Sequence, residues 1–330
     1  MTVQKLKSYV ARNKTEKPER EIFRTTLIVV KKTYQDLTSF KKFVISLILM
    51  MLFPIIFLAF PTTLNFHSIS VQHASAAIAI QIIFPLWFWT LGIALICIVG
   101  TSGASLISEE VHSGSMLILV SKPITRIKIF LGKYIGLFLY GALLSFLAVF
   151  ILGWIAVLRY SANIQHFLGL IPFLIASYIY SLVILLIFCS ITLALSSIVK
   201  RPRNAALGVL LLVIFSFIGM MVLKTFIADY YDDFYIYTFD LGYHLGNIYV
   251  GFMEAFNAIP PVAEWQQWFG IMTGVYAITS PTDPDQDINP GGMTKNDYVY
   301  TWVSLLVWIG IAVFLLIYGL ISLKKREISV

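Results

Sequence analysis

Apolar positions in this chain fall into long unbroken runs, separated by shorter polar intervals. Six runs of 18 or more residues carry no charge: Phe43–Phe60, Ile78–Ile107, Tyr134–Leu158, Phe167–Val199, Ala205–Leu223 and Tyr298–Leu323. A helix rises ~1.5 Å per residue, so ~20 residues cross a ~30 Å hydrocarbon core. The runs predict an all-α membrane protein with six transmembrane helices, spanning residues 43–323. The second and fourth are long enough to tilt or to project past the bilayer. Pro54, Pro85 and Pro172 lie inside runs, where neighbouring helices can satisfy the freed backbone groups. No ~10-residue period-2 alternation is present, which argues against a membrane β-barrel.

The intervals have patterns of their own. Phe23, Leu27, Val30, Tyr34 and Leu37 recur at helical spacing among basic and polar residues. That spacing predicts an N-terminal amphipathic helix within residues 1–42, lying in the membrane interface. The interval 224–297 is large, with ten acids and two bases, and rich in aromatics. Leu241, Leu245, Ile248, Phe252 and Phe256 form one apolar stripe there, and Trp265, Phe269, Met272 and Tyr276 another. Both predict helices set on the ends of the spans or dipping back into the membrane. Gly270 and Gly274 have GxxxG spacing and are read as a close-packing contact.

Charge then orients the chain. Only 12% of residues are charged and 58% are hydrophobic, against about 25% charged in a soluble domain. All but Arg159, Lys224 and Lys295 of the 24 Lys and Arg fall at one face of the six-span layout. The positive-inside rule puts that face, with both termini including residues 324–330, in the cytoplasm of a multi-pass plasma-membrane protein. The net charge of +7 therefore marks a face against anionic lipid, not a nucleic-acid site. Cys97 and Cys189 both lie inside runs, so no disulfide or zinc framework is expected.

Chemistry is sparse. No run carries an ionisable side chain near its middle, which argues against a proton-coupled carrier. No phosphate-binding GxxxxGK[ST] loop is present, and the five histidines lack metal-ligand spacing. Asp283, Asp285 and Asp287 form a weak calcium candidate, but the glycine and glutamate of an EF-hand loop are missing; a solvated turn is the preferred reading. Thr90, Ser145, Ser181 and Ser190 are either a hint of amphipathic cargo or helix-packing hydroxyls.

One polar interval stands out. EEVHSGSMLILVSKPITRIKIFLGK, from Glu109 to Lys133, joins the second and third runs. It offers two acids, a Ser-Gly-Ser turn, a short helix candidate Met116–Val120, and a Lys-Pro stop. Composition leaves two readings level: an inner loop that only fixes topology, or a short helix that docks into a soluble partner. Glu110, Gly114, Ser115, Leu119, Ser121, Pro123, Ile124, Arg126, Gly132 and Lys133 carry a pattern that resembles the signature of permease subunits in the type-2 exporter class of ATP-binding-cassette transporters. Ser115 replaces the threonine usual in that class, and Val111–His112 replaces a charged pair.

That resemblance implies a type V exporter-like fold in which 108–130 is the coupling helix against an ATPase subunit. It implies that 22–40 is a connecting helix and that Lys200, Arg201 and Arg203 make a second cytoplasmic contact. It implies further that two permeases, identical or homologous, pair around a substrate path, and that ATP and Mg bind only to the partner ATPase. The chain itself is then no enzyme and needs no cofactor. Glu110 is placed to pair with Arg126 or with an arginine of the partner. Membrane lipid and an extracellular accessory protein on the outer loop are further partners considered. The competing reading is a membrane assembly or regulatory component that binds partners through that loop and moves no solute. An ion-coupled carrier is a third.

Overall fold

The structure, a computed structural model, describes residues 26–60, 70–113, 125–160, 163–199, 201–259, 263–276 and 295–325. Helix α1 covers 26–37. Six helices long and apolar enough to cross a membrane follow: α2 (Phe40–Ala59), α3 (Val71–His112), α4 (Arg126–Arg159), α5 (Ile164–Ile198), α6 (Pro202–Lys224) and, after the intervening loop, the last, Thr301–Lys325. Between α6 and this last helix lie α7 (Leu241–Ala255) and α8 (Ala263–Thr273), making Thr301–Lys325 helix α9. Among the described residues the only β pairing is a single bridge between Tyr276 and Lys295. The predicted all-α, six-span architecture is therefore what the chain adopts.

The helices outrun their apolar cores. α3 starts at Val71 because the Ser70 hydroxyl accepts the His73 N–H. α5 starts at Ile164 behind a capping box, with the Asn163 side chain accepting the Gln165 and His166 N–H groups. Such caps satisfy donors that a helix end otherwise leaves unpaired. At 1.5 Å per residue α3, α4 and α5 are ~63, ~51 and ~52 Å long, so each projects well past a ~30 Å core.

α5 is the central pillar and packs on α3, α4, α7 and α9. Small residues let the backbones close on one another. A β-carbon at Gly319 of α9 would lie 2.8 Å from the Ala194 Cα of α5. By contrast α2, α6 and α9 turn wide apolar faces outward, including Ile48, Leu211 and Phe314, as lipid-facing spans do.

Two wide helical turns interrupt the regular pattern. In α3 the backbone is π-helical over Leu86–Ala94, directly after Pro85. In α6 it is π-helical over Phe215–Gly219. The two stretches face each other: the Phe217 ring fills the notch at Gly92, and the Trp87 and Phe217 rings are 5.5 Å apart.

α7 and α8 dip back among the spans. Every residue of 241–250 is buried, on all faces of the helix. The Tyr249 hydroxyl meets Ser177 at 3.2 Å, and the Tyr249 ring meets Tyr180 at 4.8 Å. Ser177 lies 13 residues into α5, ~20 Å from its start. In α8 Phe269 packs 4.7 Å from Trp87, whose indole donates to the Tyr180 hydroxyl at 3.0 Å. Gly270 is a close-packing point, against the Tyr276 carbonyl, but Gly274 is not. Its φ of +77° makes it the turn after α8, a conformation that glycine adopts without steric strain.

Candidate functional site

The site expected from sequence is the junction of α3 and α4. Leu106 and Glu110 are four residues apart on α3 and so share one face of the helix. Lys133 lies two turns into α4 and points at that face. Its ammonium forms an ion pair with the Glu110 carboxylate and also donates to the Leu106 carbonyl. Lys133 is buried, while the Glu110 side chain keeps 27% of its exposure. The pair closes the neck of a hairpin. Gly114, Ser115, Leu119, Ser121, Pro123 and Ile124, between its two ends, lie outside the described residues.

Arg126 does not take the carboxylate. Its guanidinium donates to the Leu323 and Lys324 carbonyls, each at 3.0 Å. The reason is local. Arg126 opens α4 beside the end of α9, where carbonyls have no partner within the helix and the helix dipole favours a cation. The expected Glu110–Arg126 pair is thus replaced by two separate contacts, one joining α3 to α4 and one joining α4 to α9.

Helix α1 also docks here. Val29 and Thr33 sit in a notch made by Gly132 and Gly136 of α4, where a β-carbon would lie 2.7 Å and 2.8 Å from them. This GxxxG seam alters the predicted buried face. Of the expected stripe only Leu37 is buried; Val30 and Tyr34 are half-buried and Leu27 is 55% exposed. Short β-branched side chains fit a glycine notch better than leucine does, and Thr33, a polar residue, is buried in its place. Phe23 lies outside the described residues.

A serine fastens α5 to the same neck. The Ser196 hydroxyl donates to the Ala104 carbonyl and accepts the Ile107 and Ser108 N–H groups. Just beyond α5, Arg201 and Arg203 are exposed at this basic end; Lys200 lies outside the described residues. So do Asp283, Asp285 and Asp287. Among the described residues no group of three His, Cys, Asp or Glu can hold a metal. Thr90, Ser145, Ser181 and Ser190 are buried and hydrogen-bonded to helix carbonyls or to each other, as in Ser181 to Ser145 at 2.9 Å. Packing accounts for all four.

The opposite end holds a charged cluster that sequence reasoning missed. Lys224, at the end of α6, meets Asp240 at 2.5 Å and donates to the Thr273 carbonyl of α8 at 2.8 Å. The Tyr231 hydroxyl donates to the same Asp240 oxygen at 2.8 Å. Burial and the neighbouring Asp240 push the Tyr231 phenol well above its ordinary pKa. His244 follows one turn on. Its Nε2 meets the Thr238 carbonyl at 3.0 Å and must donate, which leaves Nδ1 to accept from Ser304 at 2.9 Å. Burial lowers its pKa below the usual histidine value. The readable signal was a lysine at the mouth of a span, facing a loop otherwise made of acids and aromatics.

Six apolar helices, a buried helical pair between the last two and a charged, clamped neck at one end define a multi-pass membrane protein. Residues 27–328, from α1 to just past α9, match the ABC-2 family transporter protein. The chain belongs to that family, whose members are the membrane components of transporters rather than their ATPases. A comparison with curated proteins finds no match.

Proposed function

We propose that the chain is the permease subunit of an ATP-driven exporter and works as a pair with a second copy or a homologue. A separate ATPase subunit, which binds ATP and Mg, docks on the basic end. Residues 108–130 carry the movement of that subunit into α3 and α4, with Arg201 and Arg203 as a smaller contact and α1 as the connecting helix. Both termini then lie in the cytoplasm. The observation that carries this reading is the Glu110–Lys133 clamp. It joins the two span ends that flank the coupling-type segment, so a push on that segment reaches both spans together. The conformational switch is a population shift, driven by whatever binds one state better than the other.

The burial of α7 among the spans favours a transport body over a component that recruits partners through its outer loop. The test is co-purification with the ATPase encoded beside its gene, followed by vanadate-sensitive hydrolysis and efflux from reconstituted vesicles. Glu110→Ala with Arg126→Ala is expected to leave hydrolysis running while transport falls. Failure of any ATPase to bind, or transport unchanged in the double variant, overturns the proposal.

A further inference from the structure

Helix α1 has two flanks, and only one of them is packed. Val29 and Thr33 fill the glycine seam of α4. The other flank leaves a groove of about 530 Å³, walled by Leu27, Lys31 and Tyr34 on α1 and by Leu139, Leu143 and Phe146 on α4. Its size falls within the range of sites that bind small amphiphilic ligands. Leu27, Leu139 and Phe146 are each more than 40% exposed, so the groove opens toward lipid and not toward the bundle interior.

Its two ends differ in chemistry. α1 crosses α4 at Gly132 and Gly136, which sets Lys31 toward the basic end. From there the apolar wall continues to Phe146, which packs on Tyr178 of α5 at 5.4 Å. Leu139 to Phe146 is a rise of ~10 Å, most of the ~15 Å depth of one leaflet's hydrocarbon. Lys31 is exposed, and among the described residues it is in no ion pair. A cation at interface depth above an apolar trough of leaflet depth matches the two parts of one molecule.

We propose that this groove binds a single phospholipid with an anionic headgroup. Its phosphate sits on Lys31 and an acyl chain lies against Leu139, Leu143 and Phe146. The lipid completes the apolar surroundings of Val30 and Tyr34, which the seam leaves partly bare, and so fastens α1 to α4 from its second side.

The test uses the full-length chain, reconstituted in bilayers containing both phosphatidylglycerol and phosphatidylcholine and then released for native mass spectrometry. The expected result is one retained lipid per chain, phosphatidylglycerol in preference to phosphatidylcholine. Lys31→Gln, at an exposed position that leaves the fold untouched, is expected to cut that preference about fivefold, the effect of one basic side chain at an anionic surface. Ala142, on the same α4 wall between Leu139 and Leu143, also lines the groove; Ala142→Trp fills it and is expected to remove retention of both lipids. A photo-crosslinker placed at Tyr34 is expected to label lipid. Equal retention of the two headgroups by the unmodified chain overturns the proposal. So does a preference that survives Lys31→Gln, or crosslinking of Tyr34 to a second copy of the chain.

Discussion

Each end of the bundle carries a lysine drawn out of water onto a carboxylate, yet the two settings differ. Lys133 meets a glutamate that keeps contact with solvent, and its second bond is to one carbonyl of the same neighbouring helix. Lys224 meets an aspartate with no exposure at all, one that also accepts from Tyr231, while its ammonium reaches into α8. The first pair joins two spans at a hairpin neck. The second locks the end of a span to two re-entrant helices. A pair whose carboxylate side chain is partly exposed opens at less cost than one buried on both sides, since water can take over one partner's bonds. A fully desolvated one resists opening, because either partner left alone is a buried bare charge. The basic end is thus the more easily opened of the two, and the opposite end the more firmly locked.

Removing one partner at each end is the strongest way to break that contrast. Asp240→Ala leaves the Lys224 ammonium buried and unpaired, and is expected to lower stability by ~3–5 kcal/mol. Thermal unfolding in detergent measures it, with Lys224→Met in the same chain recovering much of the loss. Gly136→Val, at the basic end, forces a side chain into Thr33 and is expected to cost ~1–3 kcal/mol. Faster proteolysis of α1, with the spans intact, would locate the damage. Glu110→Ala strands the buried Lys133 ammonium too, but leaves it the Leu106 carbonyl, and should lower stability by less than Asp240→Ala, ~2–3 kcal/mol. A loss as large as that of Asp240→Ala would erase the distinction between the two ends.

The smallest effect is on pH. Burial holds the His244 pKa below its unfolded value of ~6.5, so the folded state binds its proton less readily than the unfolded chain does. The stability this contributes is complete above about pH 6.5 and is lost as pH falls from there toward the folded pKa. Ser304, Thr238 and Asp240 are the groups that face the ring. Hydrogen exchange in α7 is expected to speed up through that window, with α1 and the neck as the internal reference.

The number and order of the spans were legible, because a charge-free run of bilayer length has few other uses. Their ends were not. Polar turns such as Arg126–Lys133 and the capped starts at Ser70 and Asn163 carry no hydropathy signal, and helix continues through them. The neighbourhood of the neck was readable from Glu110, Arg126 and Lys133, but not the pairing, which depends on the carbonyl end of α9 arriving beside Arg126 from almost 200 residues away. The apolar stripe of α7 was visible, yet it suggested one buried face. The burial of the opposite face rests on glycines and neutral polar groups, such as Asn247 bonded to the Val299 carbonyl, that pattern alone reads as surface. The Lys224–Asp240 pair gave no periodic sign, since an irregular loop brings its members together.

The wide turn over Leu86–Ala94 sets the rotational phase of the whole lower half of α3. Each residue of an ordinary helix advances ~100°, so a stretch of broader turns re-aims everything beyond it. Gly100 facing Val209, Gly103 facing Thr192, and Glu110 facing Lys133 all depend on that one angular offset. Deleting a single residue near Trp87 would leave the helix unbroken and every side chain present, yet would swing the carboxylate about a quarter-circle from its lysine. A mid-bilayer irregularity thereby decides which way the far end of the helix looks.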